Sequence, residues 1–231
     1  MFKGIVFDLD GTLIHSNVDF IKMKEKMIAL LLENGTPEGT LSPLMTTVDI
    51  MRITEAFWEK QGASNLKRTK LRLEIEDAMN QVELEAVETV LEVPGAKKAI
   101  EILFQQGYKL AVLTRGHHVY AEKALQKTGM LGYFEIIFGR GETPKPKPYP
   151  EALLYTAQTL SLGRSEILFI GDHHIDLTCA MSAKVPFIGV QTGHRGEESW
   201  GDRKPSILLK SVKDIPAFLQ SKDRNKTDFY H

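Results

Sequence analysis

Short apolar runs alternate with longer amphipathic stretches along most of the chain. The first run, Gly4 to Phe7, ends directly in acidic residues, which is typical of a buried parallel strand. Further strands are predicted at 109–113, 134–138, 166–170, 186–190 and 206–209. Helices are predicted between and after them, at 94–106, 118–128, 149–160, 175–183 and 212–219. The alternation predicts an α/β fold with a doubly wound, mostly parallel, Rossmann-like sheet.

A long helical segment separates the first two predicted strands. A crossover between parallel strands needs only a dozen or so residues, yet residues 8–108 lie between these two strands. Amphipathic patterning predicts helices at 18–33, 44–60 and 64–89 within this segment. We therefore predict two domains, which are an α/β core formed by 1–15 and 92–231 and an inserted α-helical domain formed by 16–91.

Composition and charge narrow the class of protein. The 231 residues carry a net charge of −1, so there is no electrostatic reason to expect binding to nucleic acid or to an anionic membrane. A single cysteine, Cys179, excludes an internal disulfide and favours a reducing compartment. The start of the sequence does not resemble a secretory signal, and no apolar run approaches the roughly 20 residues that span a bilayer. We expect a soluble, cytoplasmic protein whose polar segment 221–231 is frayed.

Polar residues that could take part in catalysis or ligand binding follow the predicted strands. Because the carboxyl ends of parallel strands meet at one edge of a sheet, we expect these residues to converge there. They comprise Asp8, Asp10, Thr114, Arg115, Lys145, Lys147, Asp172 and Asp176.

This combination of residue types indicates phosphoryl chemistry. Crowded carboxylates repel one another, and a hard divalent cation such as Mg²⁺, which prefers oxygen ligands, relieves that repulsion. A cation, a lysine and a hydroxyl can together neutralise and hold a phosphoryl group. A carboxylate can also act as the nucleophile and form an aspartyl-phosphate.

The same residues resemble the four signature motifs of the haloacid dehalogenase superfamily. In the family's order, the matching positions are Asp8-Leu9-Asp10-Gly11-Thr12, Thr114, Lys147, and Gly171-Asp172 with Asp176. The resemblance covers about residues 4–219, and the helical insert is similar to the family's small cap domain. The chain looks closest to the phosphoglycolate-phosphatase-like branch.

The resemblance implies a catalytic role for the two aspartates of the first motif. Asp8 would be the nucleophile that attacks phosphorus. Asp10 would be the general acid and base, which protonates the leaving oxygen and then activates the hydrolytic water. Dehalogenating members lack an aspartate at the position of Asp10, so dehalogenation is not expected.

The resemblance also implies the ligands of phosphate and metal. Thr114 and Lys147 would hold the phosphoryl oxygens. Independently of the resemblance, Arg115 is a candidate for contact with phosphate or substrate because it is next to Thr114; the alternative is that it points to solvent. Mg²⁺ would be bound by Asp8, by the backbone carbonyl of Asp10 and by Asp172. Asp176 would be a more distant ligand or would orient the other groups.

The choice of lysine is open to a direct alternative. Lys145 and Lys147 both begin a Lys-Pro-x-Pro sequence. We favour Lys147 because residues 151–154 continue into a helix, as they do in the family. Lys145 would then be a solvated lysine in a stiff proline-rich loop.

Histidines are concentrated near the same loops. His15, His117, His118, His173 and His174 fall in or beside them, whereas His194 and His231 lie elsewhere in the sequence. Substrate contact, proton transfer and a transition-metal site are the functional readings. We favour ordinary loop residues and helix starts.

The function predicted from these residues is Mg²⁺-dependent hydrolysis of a small phosphorylated metabolite, such as phosphoglycolate or a sugar phosphate, by a monomer or homodimer. A phosphomutase needs the same core residues and is the first alternative. A non-catalytic binding module with the same fold is the second.

Overall fold

The computed structural model describes residues 2–194 and 196–225. The strands are β1 (Gly4–Phe7), β2 (Ile14–His15), β3 (Leu91–Glu92), β4 (Lys109–Leu113), β5 (Ile136–Phe138), β6 (Ile167–Gly171), β7 (Phe187–Val190) and β8 (Leu208–Leu209). The helices are α1 (Phe20–Glu33), α2 (Thr47–Lys60), α3 (Asn65–Ala86), α4 (Ala96–Gln105), α5 (His118–Lys127), α6 (Pro150–Thr159), α7 (His174–Ala183) and α8 (Ile215–Asn225).

The main sheet is doubly wound. Within the described residues it has six strands in the order β5-β4-β1-β6-β7-β8. All of its strand pairs are parallel. The chain first builds outward from β1 through β4 to β5 and then continues on the other side of β1 with β6. The predicted α/β, doubly wound, parallel fold is therefore confirmed, and its switch point lies between β1 and β6.

Burial explains why these segments are strands. Every residue of β1 and of β6 is buried, and neither strand alternates between apolar and polar positions. This is the pattern of a strand that is covered on both faces. A core cluster joins Val6, Ala111 and Phe169 of the sheet to apolar residues of α6 and α7. This packing holds the ends of β1 and β6 in a fixed position.

The chain divides into two compact units. The first consists of Met1–Ser16 and Thr89–His231 and contains the sheet, and the second is Asn17–Glu88. In the second unit α1 packs against α3, and both helices bury a stripe of apolar residues along one face. The role of this helical unit as a cap stays a prediction.

A two-stranded antiparallel sheet near the ends of the helical segment was not expected. It pairs Ile14 with Glu92 and His15 with Leu91. The predicted insert, 16–91, includes Leu91, whereas the structure pairs Leu91 with His15 in the first unit. Two-residue strands are too short to produce a recognisable alternation of apolar and polar positions.

The C-terminal region differs from the expectation of a frayed segment. Helix α8 continues to Asn225, so the prediction is wrong for 221–225, and 226–231 lie outside the described residues. A capping box between Ser211 and Asp214 starts this region, and buried Ile215 and Leu219 anchor the helix. None of the helices in the described part of the chain is both long and apolar enough to cross a membrane.

Candidate active site

Three buried aspartates meet at the carboxyl ends of β1 and β6. Asp8 directly follows β1, Asp172 directly follows β6, and Asp176 lies in the first turn of α7. One carboxylate oxygen from each lies within 4.8 Å of the others. All three residues belong to the first unit. The sheet topology therefore produces a cluster of hard oxygen ligands at its switch point, where α/β proteins bind their ligands.

Asp176 belongs to the same carboxylate cluster as Asp8 and Asp172. Its expected role, as a more distant ligand or as a group that orients the others, stays a prediction. The residue is 2% exposed. The backbone of Gly171 packs against this side chain so closely that a Cβ at residue 171 would lie 2.6 Å from the Cβ of Asp176.

Lys147, and not Lys145, is the lysine that reaches the aspartates. Its Nζ lies 2.5 Å from Oδ1 of Asp8 and 2.6 Å from Oδ1 of Asp176, and the residue is 3% exposed. Lys145 is exposed and pairs instead with Glu151 at 2.7 Å. The loop between β5 and α6 therefore places one lysine in the cluster and leaves the other at the surface.

The cluster carries more negative charge than Lys147 compensates. Burial raises the pKa of Asp8 to about 6; Lys147 opposes the rise and Asp176 adds to it. Burial, with the charges of Asp8 and Asp176, raises the pKa of Asp172 well above its ordinary value. Burial alone would lower the pKa of Lys147, but Asp176 and Asp8 outweigh it and raise that pKa. A bound cation would relieve this excess of negative charge.

The loop after β1 packs closely against Asp172. Gly11 has a φ of +83°, and a Cβ at this position would collide with the Asp172 carboxylate. The hydroxyl of Thr12 donates to Oδ1 of Asp172 at 3.2 Å. The hydroxyl of Thr192 donates to the carbonyl of Gly11 at 2.6 Å. Gly11 and Thr12 of the first motif thus allow the loops that follow β1 and β6 to approach each other closely.

Asp10 is held by two hydroxyl groups that the sequence reading did not identify. The hydroxyl of Ser16 donates to Oδ1 of Asp10 at 2.5 Å, and the hydroxyl of Tyr120 donates to the same oxygen at 2.7 Å. Tyr120 comes from α5 and is 1% exposed. The sequence signal for this contact was weak, since a tyrosine in a helix is more often only a packing residue.

Thr114 and Arg115 follow β4 at the same edge of the sheet. Thr114 is 6% exposed, and its hydroxyl oxygen accepts a hydrogen bond from the backbone N–H of Gly116 at 3.0 Å. Arg115 is half-buried, and its carbonyl accepts from Arg140 at 3.3 Å. Their roles toward phosphate stay predictions.

One histidine that seemed remote in sequence lies next to the first motif. Nε2 of His194 is 3.1 Å from the carbonyl oxygen of Ser16, so this histidine, which lies elsewhere in the sequence, is close in space to the segment after the first motif. Burial and the charge of His194 lower the pKa of His15. His173 caps the N-terminus of α7, and the ring of His174 contacts that of His173. This agrees with the expected helix starts.

His118 also has ordinary protein partners. Nδ1 of its ring lies 2.9 Å from Glu142, and its Nε2 lies 3.3 Å from Glu122. Burial lowers its pKa, but the hydrogen bond and charge of Glu142, together with Glu122, raise it overall. Cys179 is buried, and burial raises the pKa of its thiol to about 12. It is therefore an inert packing residue.

The fold and the site together define a class: a doubly wound α/β protein with a buried carboxylate and lysine cluster at the switch point. A family model described as haloacid dehalogenase-like hydrolase matches residues 5–190. The chain therefore belongs to the haloacid dehalogenase-like hydrolases. The predicted family and its enzymatic, hydrolytic nature are confirmed.

Curated relatives and solved structures agree with this assignment. A phosphoglycolate phosphatase of Shigella dysenteriae serotype 1 is 23% identical over 92% of this chain and 90% of its own. One from Pseudomonas putida is 27% identical over 91% of this chain and 77% of its own. A structure described as a predicted phosphoglycolate phosphatase from Haemophilus somnus has a TM-score of 0.65 and 25% identity, with 95% of this chain and 98% of that one covered.

A more distant structure shows the same fold. It is a subfamily IA hydrolase of this superfamily from Geobacter sulfurreducens, with a TM-score of 0.58 and 20% identity. The match covers 94% of this chain and 100% of that one.

Proposed function

We propose that the protein is a Mg²⁺-dependent phosphatase that hydrolyses a small phosphorylated metabolite through an aspartyl-phosphate on Asp8. The observation that carries the proposal is the buried group of Asp8, Asp172 and Asp176 with Lys147 among them. A buried lysine beside a nucleophilic carboxylate is suited to neutralise a transferring phosphoryl group.

The donor set fits Mg²⁺. The three side chains offer only carboxylate oxygens, which are the ligands that Mg²⁺ prefers, and they lie within 4.8 Å of one another. We propose that Asp8, Asp172 and the backbone carbonyl of Asp10 hold the ion, with Asp176 as a further candidate because of its place in the cluster. When bound, Mg²⁺ neutralises charge on the phosphoryl oxygens.

The reaction uses the two aspartates of the first motif in sequence. A carboxylate oxygen of Asp8 attacks phosphorus and the bond to the leaving oxygen breaks, while the carboxylic acid of Asp10 gives its proton to that oxygen. The Asp10 carboxylate then takes a proton from water as the water oxygen attacks phosphorus. Inorganic phosphate leaves, Asp8 becomes a free carboxylate again, and Asp10 regains its proton. Thr114, Lys147 and Arg115 are the proposed contacts to the phosphoryl oxygens.

Phosphoglycolate is the first substrate to test, because the curated relatives that match most of the chain carry the name phosphoglycolate phosphatase. Sugar phosphates form the second class. We propose that the protein acts as a monomer or homodimer, and that its partners are such metabolites and not nucleic acid or membranes.

The experiment is a panel of phosphorylated metabolites and p-nitrophenyl phosphate, assayed with Mg²⁺ and with a chelator, for the protein and for Asp8→Asn. We expect Mg²⁺-dependent release of phosphate that Asp8→Asn abolishes, and a phosphorylated Asp8 in acid-quenched wild-type protein by mass spectrometry. Asp214→Asn is the matched control. Asp214 only caps the turn before α8, so this variant should retain activity.

Three results would contradict parts of the proposal. Phosphatase activity in Asp8→Asn equal to that of the wild type excludes Asp8 as the nucleophile. Isomerisation of a sugar phosphate without net release of phosphate identifies a phosphomutase. Binding of phosphorylated metabolites without turnover of any of them identifies a binding module.

A further inference from the structure

Tyr120 lies where it can control the proposed general acid. Its hydroxyl donates to Oδ1 of Asp10 at 2.7 Å, although the residue belongs to α5 and is separated from Asp10 by 110 positions in the sequence. Packing alone does not require that hydroxyl, because a phenylalanine would fill the same buried volume.

The tyrosine ring is held firmly in place. It is 1% exposed. A Cβ at Gly116 would lie 3.2 Å from Cδ1 of the ring, so the ring packs directly on the backbone of the loop that contains Thr114. The hydroxyl is therefore a fixed donor, and it joins the proposed phosphate-binding loop to Asp10.

A second hydroxyl fixes the same carboxyl oxygen from another direction. Ser16 donates to Oδ1 of Asp10 at 2.5 Å. One hydrogen bond leaves a carboxyl group able to turn about its terminal torsion, which has a broad energy minimum. Two bonds to Oδ1 from separate elements restrict that rotation, and they occupy both lone pairs of Oδ1.

We propose that Tyr120 is a positioning residue that orients the Asp10 carboxyl group for both proton transfers; this inference rests on the proposed function. In the first transfer the proton passes from the carboxylic acid of Asp10 to the leaving oxygen as its bond to phosphorus breaks. In the second, the Asp10 carboxylate accepts a proton from the attacking water, and the carboxylic acid is restored. Tyr120 keeps its own proton throughout.

Tyr120→Phe tests this inference through the leaving group. The kcat/KM value reports the steps up to departure of the leaving group. An alkyl phosphate needs a proton from Asp10, whereas p-nitrophenolate leaves without one. Positioned acid catalysis contributes about 10²- to 10⁴-fold, so we expect Tyr120→Phe to lower kcat/KM by about 10-fold or more for the alkyl phosphate. For p-nitrophenyl phosphate we expect a loss under about 3-fold in kcat/KM and a larger loss in kcat, because dephosphorylation still needs Asp10 as the base.

Two further variants make the result specific. Tyr133→Phe is the matched control, because it removes another tyrosine hydroxyl that donates to a carboxylate, that of Glu101 at 3.0 Å. It should leave kcat/KM for both substrates unchanged. In an Asp10→Ala background, adding Tyr120→Phe should lower alkyl phosphate turnover by less than about 2-fold, since a residue that acts through Asp10 has nothing left to position.

The outcomes separate the inference from the proposed function. Equal losses on both substrates, a gain in alkyl phosphate activity, or an undiminished loss in the Asp10→Ala background each overturns the positioning role alone. Absence of Mg²⁺-dependent hydrolysis in the wild-type protein overturns the proposed function and the inference with it. Thermal unfolding of Tyr120→Phe near the wild-type temperature excludes misfolding as the cause of a loss, and Ser16→Ala, which removes the other donor, should reproduce the substrate pattern.

Discussion

Replacing Lys147 with methionine should expose the electrostatic balance of the active site. The lysine is 3% exposed and forms ion pairs with Asp8 at 2.5 Å and with Asp176 at 2.6 Å. Methionine retains much of the side-chain length but removes the cation. Removing one partner of a buried ion pair costs about 3–5 kcal/mol. We expect Lys147→Met to lose about 3 kcal/mol of unfolding free energy at pH 8 in the presence of a chelator.

The loss should depend on pH in a definite direction. The pKa of Asp8 is raised to about 6 even with Lys147 present, and without the lysine it should rise further. A carboxylate with a raised pKa in the folded state stabilises the protein below its unfolded pKa, and this stabilisation is lost as pH rises through the folded pKa. The defect of Lys147→Met should therefore be small near pH 5 and full near pH 8.

Lys145→Met is the matched control for this prediction. Lys145 lies two positions away, but its ion pair with Glu151 is exposed, and such pairs contribute little to stability. The assay is urea unfolding followed by tryptophan fluorescence in a Trp58→Phe background, which leaves Trp200 as the single tryptophan and as a reporter for the first unit. Lys147→Met should also lose about 100-fold or more in phosphatase kcat/KM.

Equal unfolding free energies of the two lysine variants across this pH range would refute the proposed role of Lys147. So would a loss of activity in Lys145→Met but not in Lys147→Met. Either result would mean that Lys147 does not compensate the buried carboxylates as the structure indicates.

Three further predictions concern the same cluster. In metal-free protein, wild type should lose stability relative to Asp8→Asn as pH rises from about 4 to 7, by up to about 3 kcal/mol, which corresponds to the rise of the Asp8 pKa from 3.8 to about 6; pH-dependent chemical unfolding measures it. Mg²⁺ at 100 times its Kd should stabilise the wild-type protein by about 2.7 kcal/mol in thermal unfolding, and Asp172→Asn should show much less. Gly11→Ala should abolish phosphatase activity because its Cβ collides with the Asp172 carboxylate, whereas Gly107→Ala, with a φ of +84° against +83° and no atom within 4 Å, should reduce only stability.

Each of these has a contrary result. A stability difference between wild type and Asp8→Asn that is independent of pH would place the Asp8 pKa at its ordinary value. Equal stabilisation of Asp172→Asn by Mg²⁺ would place the ion elsewhere. An active Gly11→Ala would show that the loop after β1 can move away from Asp172 without loss of function.

The sequence by itself determined the fold class and most of the site. Fully apolar segments such as 4–7 and 166–170 are recognisable because a strand buried on both faces needs no polar position. Asp8, Thr114, Lys147 and Asp172 could be assigned to one edge because parallel strands must all end on the same side of a sheet. These are local patterns combined with a single topological rule, so no distances were needed.

Only the tertiary structure decided how these residues contact one another. Lys145 and Lys147 have nearly the same local sequence, and the path of one loop places Lys147 in the cluster. Asp176 joins the cluster because α7 begins next to the ends of β1 and β6. The contacts of Tyr120 with Asp10 and of His194 with Ser16 join positions more than 100 residues apart. Such contacts depend on how separate elements pack, and no periodicity or local motif in one chain specifies them.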